Sequence, residues 1–149
     1  MFEPTLSIAI SQDTLGLAVF MEQRLIFLEA HALADIPKAA EASAGFILRI
    51  IDSFHPDIAA VQRSSEEPAN IHDAVIEALR TADCPVQEIT EQEVLASFGD
   101  PPIENKDELR QLMRVLFPQV PSSRLVFSCL DAVATGLHCQ TSRLLAAPE

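Results

Sequence analysis

The strongest constraint on the fold is a change of period near residue 38. Before it lie three short apolar runs, residues 6–11 (LSIAIS), 15–20 (LGLAVF) and 25–30 (LIFLEA). The breaks between them, Gln12-Asp13-Thr14 and Met21-Glu22-Gln23-Arg24, are too tight for anything but turns. Runs this short, separated this closely, predict strands of an antiparallel meander. Gly16 inside the second marks a close backbone approach or a bulge. After Pro37, which suits the first turn of a helix, the spacing becomes helical. Ala39, Ala42, Phe46, Ile47, Ile50, Ile51 and Phe54 share one face. His55-Pro56 ends this helix, because the residue before proline is pushed out of the α region.

Residues 58–61 (IAAV) are apolar without alternation, as in a strand covered on both faces. Asn70, with Asp73 three residues on, predicts an N-cap and a helix that buries Ile71, Ala74, Val75, Ala78 and Leu79. Residues 85–90 (PVQEIT) read as a fifth strand, and Gly99-Asp100-Pro101-Pro102 as a break. A helix over 106–117 turns Leu109, Leu112, Met113 and Leu116 inward. Ser122 or Ser123 caps the last helix, which runs to about Leu145 and buries Leu125, Cys129, Ala132, Val133 and Leu137. The order βββαβαβαα specifies an α/β fold. Its mixed five-stranded sheet has three antiparallel strands followed by parallel ones, with helices on both faces.

The chain is 149 residues long and 48% hydrophobic, which suits one domain spanning 1–149. No apolar run approaches the roughly 18 residues of a membrane helix. No basic segment precedes the first apolar stretch, so a soluble cytoplasmic protein is expected. Cys84, Cys129 and Cys139 form no CxxC pair and are expected to be reduced thiols. Ten Lys and Arg against 22 Asp and Glu give a formal charge of −12. Such a surface repels nucleic acid except where cations gather on one face. Lys106, Arg110 and Arg114 form such a group, one helical turn apart. They are candidates for DNA contact or, against Glu104, Asp107 and Glu108, a solvated stripe.

Four segments, in order, carry a family resemblance. They are residues 9–13 (AISQD), residues 57–62 (DIAAVQ), residues 94–99 (VLASFG) leading to 105–109 (NKDEL), and residues 128–134 (SCLDAVA) followed by Leu137-His138. Together they resemble the RuvC-type Holliday-junction resolvases of the RNase H-like superfamily. In that family the first strand ends in Gly-Ile-Asp-Pro-Gly and the fourth in a glutamate. A strand and a glycine turn then lead to a helix opening near a lysine, which Lys106 matches. The final helix carries two aspartates three residues apart, then Ala-x-Ala and a histidine. The resemblance implies a homodimer, branched DNA as partner, and four carboxylates holding two divalent metals roughly 3.5–4 Å apart.

The matching positions here are Ser11, Gln62, Ser128 and Asp131. Only Asp131 is a carboxylate, and neutral oxygens do not balance the charge of two hard cations. The expectation is therefore a degenerate homologue, without cofactor, that binds or scaffolds. Asp131 in that case is a polar residue bonded to nearby backbone or a serine. Two other functions stay open. One is a magnesium-dependent junction endonuclease with a rearranged acidic site, in which Asp13 pairs with Asp131, aided by Glu66 or Glu67. Asp13 lies two residues after Ser11, on the same side of an extended strand, and is equally suited to a turn. The other is a cytosolic interaction protein unrelated to nucleic acid. His31, His55, His72 and His138 have no metal-ligand spacing, and His55 and His72 are expected at the surface. Ser64-Ser65 and Ser122-Ser123 lack any serine-nucleophile motif.

Overall fold

In a computed structural model that describes residues 4–11, 14–33, 38–63, 69–98, 103–120 and 125–146, five strands form one sheet. They are β1 (Thr5–Ile10), β2 (Thr14–Met21), β3 (Arg24–Ala32), β4 (Ile58–Arg63) and β5 (Val86–Thr90), in the spatial order β3-β2-β1-β4-β5. β1, β2 and β3 pair antiparallel, and β4 and β5 join in parallel. This is the mixed sheet that the sequence predicts. No helix among the described residues is long and apolar enough to cross a membrane.

The two faces of the sheet differ in side-chain size. Leu6, Ile8 and Ile10 of β1 and Leu15, Leu17 and Val19 of β2 point one way. There they pack on helices α1 (Ala39–Phe54) and α2 (Ala69–Thr81). The opposite face presents Ser7, Ala9, Gly16, Ala18 and Ala60. The small residues let α5 (Val126–Ala146) approach until backbone meets backbone. Ser7 Oγ donates to the Ala132 carbonyl at 2.5 Å. A Cβ at Gly16 would collide with the Ser128 carbonyl, and one at Gly136 with the Phe20 ring. Gly16 thus serves close approach, and the strand irregularity lies elsewhere, between Val19 and Phe20. α3 (Glu91–Ser97) and α4 (Lys106–Leu116) complete this layer around Val94, Leu109, Met113 and Phe117.

Several boundaries correct the sequence reading. Residues 94–99, matched to a strand of the resolvase family, lie largely in α3. The signal for this helix is the Thr-x-x-Glu spacing of a capping box: the Glu93 amide donates to Thr90 Oγ1, and the Thr90 hydroxyl, in place of its backbone amide, donates to Glu93 Oε1. Asn70 lies within the first turn of α2, which begins at Ala69, and is not the residue preceding it. An asparagine cap does occur at α4, where the Asn105 side chain accepts from the Glu108 amide at 3.0 Å. His55 ends α1 with φ of 51°, outside the right-handed helical region. His72 is not a surface residue: its side chain is 12% exposed, and Nε2 lies 2.8 Å from Glu88 Oε1. Pro37, Ser64, Ser65, Ser122 and Ser123 lie outside the described residues.

Candidate functional site

The site lies at the carboxyl ends of the parallel strands β1 and β4, where open α/β sheets hold their ligands. Side chains alternate along β1, so Ser7, Ala9 and Ser11 share the α5 face. Gln62 is in register with Ala9 on the neighbouring strand and points the same way. α5 runs antiparallel to β1 and brings its first turns, with Ser128 and Asp131, over this end of the sheet. Ser11, Thr14, Ser128, Asp131, Arg110 and Phe127 then line one cavity of about 250 Å³.

The four positions matched by resemblance come together unequally. Ser11, Thr14 and Ser128 form a chain of hydroxyls. Ser128 Oγ donates to Thr14 Oγ1 at 2.5 Å, and Thr14 Oγ1 is also bonded to Ser11 Oγ. Gln62 lies beneath the cavity, 4% exposed. Its Oε1 accepts from Thr135 Oγ1 at 3.1 Å, and that hydroxyl lies 2.9 Å from the Asp131 carbonyl. Asp131, 6% exposed, is not bonded through its carboxylate to backbone or serine as the sequence led us to expect. Arg110 reaches across from α4 and clamps it, Nε to Oδ1 at 3.0 Å and Nη2 to Oδ2 at 2.9 Å. Lys106 Nζ adds a second cation 3.5 Å from Oδ2 and 3.9 Å from Glu91 Oε2.

Lys106, Arg110 and Arg114 are therefore not one solvated stripe. The first two turn into the cleft, and Arg114 alone of the three is exposed. Burial opposes the charge on Arg110. The hydrogen bonds and charge of Asp131, with Asp107 and Glu91, outweigh that cost and hold the guanidinium pKa above its usual value. Its other flank lies on an aromatic ring, Cζ standing 4.3 Å from the Phe127 centroid. Phe127 escaped the sequence reading because Leu125-Val126-Phe127 looks like core. The helical period carried the signal, since residues 125, 129, 132 and 133 face inward and leave 127 outward.

The residues present do not fit the pair of divalent ions that the resemblance implies. Ser11, Gln62 and Ser128 supply no charge. Both oxygens of Asp131 already accept charge-assisted bonds from a fixed guanidinium. Among the described residues no group of three or more His, Cys, Asp or Glu is arranged to hold a metal. Asp13, Glu66 and Glu67, the acids of a rearranged site, lie outside the described residues. His138 sits two turns along α5 from Asp131. Burial, opposed by the charge of Glu93, holds its pKa below the ordinary imidazole value.

No protein-family model matches the sequence, and no curated protein matches it. Solved structures do match in fold. The RuvC structure of Thermus thermophilus superposes with a TM-score of 0.74 and 22% identity, covering 97% of this chain and 98% of that one. T. thermophilus RuvC in complex with a Holliday junction substrate gives 0.72 and 22%, over 95% and 96%. The fowlpox virus Holliday junction resolvase gives 0.58 and 12%, over 96% and 98%. With this sheet order, and with α5 laid across the small-residue face, the chain has the fold of the RuvC-type Holliday-junction resolvases.

Proposed function

We propose that this protein binds branched DNA without cutting it, as a homodimer on the resolvase fold. The observation that carries the reading is the clamp of Arg110 on Asp131. In-line phosphodiester hydrolysis by two metals needs anionic oxygens that hold both cations and a nucleophilic water between them. Among the described residues Asp131 is the one carboxylate lining this cavity, and its counter-charges are protein side chains. Lys106 and Arg110, shared among Asp131, Glu91 and Asp107, put cations where the metals of such a site would sit and offer their donors to a phosphate instead. The two gather cationic donors at one point of a chain whose overall charge is −12. The related fold of T. thermophilus RuvC has been captured with a Holliday junction substrate, which makes a four-way junction the first ligand to test. A junction with two-fold symmetry suits a two-fold dimer.

The experiment is a gel shift on a four-way junction, paired with a cleavage assay in magnesium and in manganese. Retention at about 50 mM salt, where phosphate contacts are strongest, with intact strands and a mass of two chains, is the expected result. Cleavage that disappears in Asp131→Ala would restore the endonuclease reading. Absence of retention at that salt would leave an interaction protein unrelated to nucleic acid.

A further inference from the structure

We infer that Phe127 and Arg110 form a stacking seat for one unpaired nucleobase at the mouth of the cleft. Its phosphate is received by Lys106. The inference rests on the DNA-binding reading above and names the residues that make the contact.

Three observations carry it. First, Phe127 breaks the pattern of the other described phenylalanines. Phe20, Phe27, Phe46, Phe54, Phe98 and Phe117 are buried or half-buried, whereas Phe127 is 56% exposed. A large aromatic left in water beside a polar cavity marks a contact surface more than a packing accident. Second, the ring is already held. Arg110 lies over it at 4.3 Å and is itself fixed by two bonds to Asp131. A flat surface fixed in advance costs a ligand little ordering entropy. Third, the adjoining cavity of about 250 Å³ falls below the roughly 300–1,000 Å³ of a drug-sized site. Its size suits a planar ring or a phosphate.

The lining selects the class of ligand. Ser11, Thr14 and Ser128 present hydroxyls that both donate and accept, which suits the mixed edge of a base. Lys106 one turn before Arg110, and exposed Arg114 one turn after, extend the cations along α4 in the direction a strand would follow. Aromatic stacking beside a cationic track is how single strands are held without reading sequence.

The test measures dissociation constants at about 50 mM salt for a four-way junction and a single-stranded oligonucleotide, each carrying 2-aminopurine. Wild type, Phe127→Ala and Phe127→Tyr are compared. Stacking predicts quenched 2-aminopurine fluorescence on binding and a loss of affinity of about tenfold in Phe127→Ala. Affinity should return in Phe127→Tyr, and Phe127→Ala should lower the melting temperature by only a few degrees, the loss of the cation–π contact. If wild type binds DNA and Phe127→Ala binds it equally well, the seat is wrong and the DNA-binding reading stands. If wild type binds neither DNA, both fall. Self-association that is lost in Phe127→Ala, with DNA affinity unaffected, would assign the ring to a protein contact and overturn the inference.

Discussion

The two ends of α5 carry the same chemical device in different settings. At the amino-terminal end Asp131 takes a bidentate grip from Arg110 of α4. Toward the carboxyl-terminal end Arg143 grips Asp57, just before β4, with bonds of 3.1 and 2.6 Å. Each pair ties the helix to a distant part of the chain. At the far end Arg143 Nη1 also donates to Thr5 Oγ1 at 2.7 Å, and Gln140 donates to the same hydroxyl. Arg143, in the last turn of its helix, gains from the helix dipole. That end is a pin. Its polar side chains are bonded to one another. At the site end an equally good ion pair borders a cavity, a chain of small hydroxyls and an exposed ring. An ion pair alone therefore says nothing about function here. Position at the carboxyl ends of the parallel strands and open space beside the pair make the difference.

Removing one cation at each end separates the two settings most widely. Asp131 and Arg110 side chains are 7% and 19% exposed, against 34% and 21% for Asp57 and Arg143. Arg110→Met leaves a buried carboxylate with Lys106 alone. It should cost about 3 kcal/mol, the low end for an orphaned buried ion because Lys106 remains. That corresponds to about 10 °C of melting temperature for a chain of this size. Arg143→Met should cost about 1 kcal/mol, the upper end for a pair whose carboxylate is a third exposed. Thermal unfolding of both variants at equal ionic strength decides it. Equal losses would mean that the two ends are both simple pins.

Next in size is the fit of α5 on the sheet. Gly16→Ala drives a methyl group into the Ser128 carbonyl, and neither backbone yields cheaply. The expected loss is about 2 kcal/mol. In Gly45→Ala, by contrast, the new methyl on α1 meets nothing within 4 Å, and stability should rise by roughly 0.5–1 kcal/mol. Denaturant midpoints for the pair measure both signs. A neutral Gly16→Ala would show that the helix can lift without loss, and that the site end is looser than its hydrogen bonds imply.

The contrast also accounts for what the sequence could reveal. The sheet was legible because its strands are short, apolar and separated by tight breaks. The faces of α1 and α5 were legible because helical spacing places Ile47 and Ile50, or Cys129 and Val133, on one side. α3 was hidden by its seven residues, too few to show a period, although Thr90 and Glu93 advertised its start. Within the site, parity along β1 placed Ser11 on the α5 face. Nothing local links residue 110 to residue 131, or 143 to 57, because those pairs exist only after two elements dock. The spacing along one helix therefore leaves DNA contact and a solvated stripe both open for Lys106, Arg110 and Arg114, and only docking shows that the first two face inward.

An effect of about the same small size concerns the pin end. Cys139 is fully buried in that region, its Sγ 3.5 Å from Gln87 Oε1. Burial pushes its pKa up from 9.0 to about 11, with Arg143 pulling down and Asp57 pushing up. Between those values the unfolded chain has lost the thiol proton while the folded chain keeps it. The folded state then binds more protons, so stability falls as pH rises from about 9 to about 11. At pH 10 the loss should be about 1 kcal/mol relative to pH 8. Cys139→Ala should flatten that slope, though only in part, because burial also raises the pKa values of Cys84 and Cys129. Urea midpoints at the two pH values provide the measurement. Retention at pH 10 should track the same window only if the pin end steadies the site end, since no thiol lines the cavity. A slope unchanged in Cys139→Ala would place the alkaline sensitivity elsewhere and leave the two ends of α5 uncoupled.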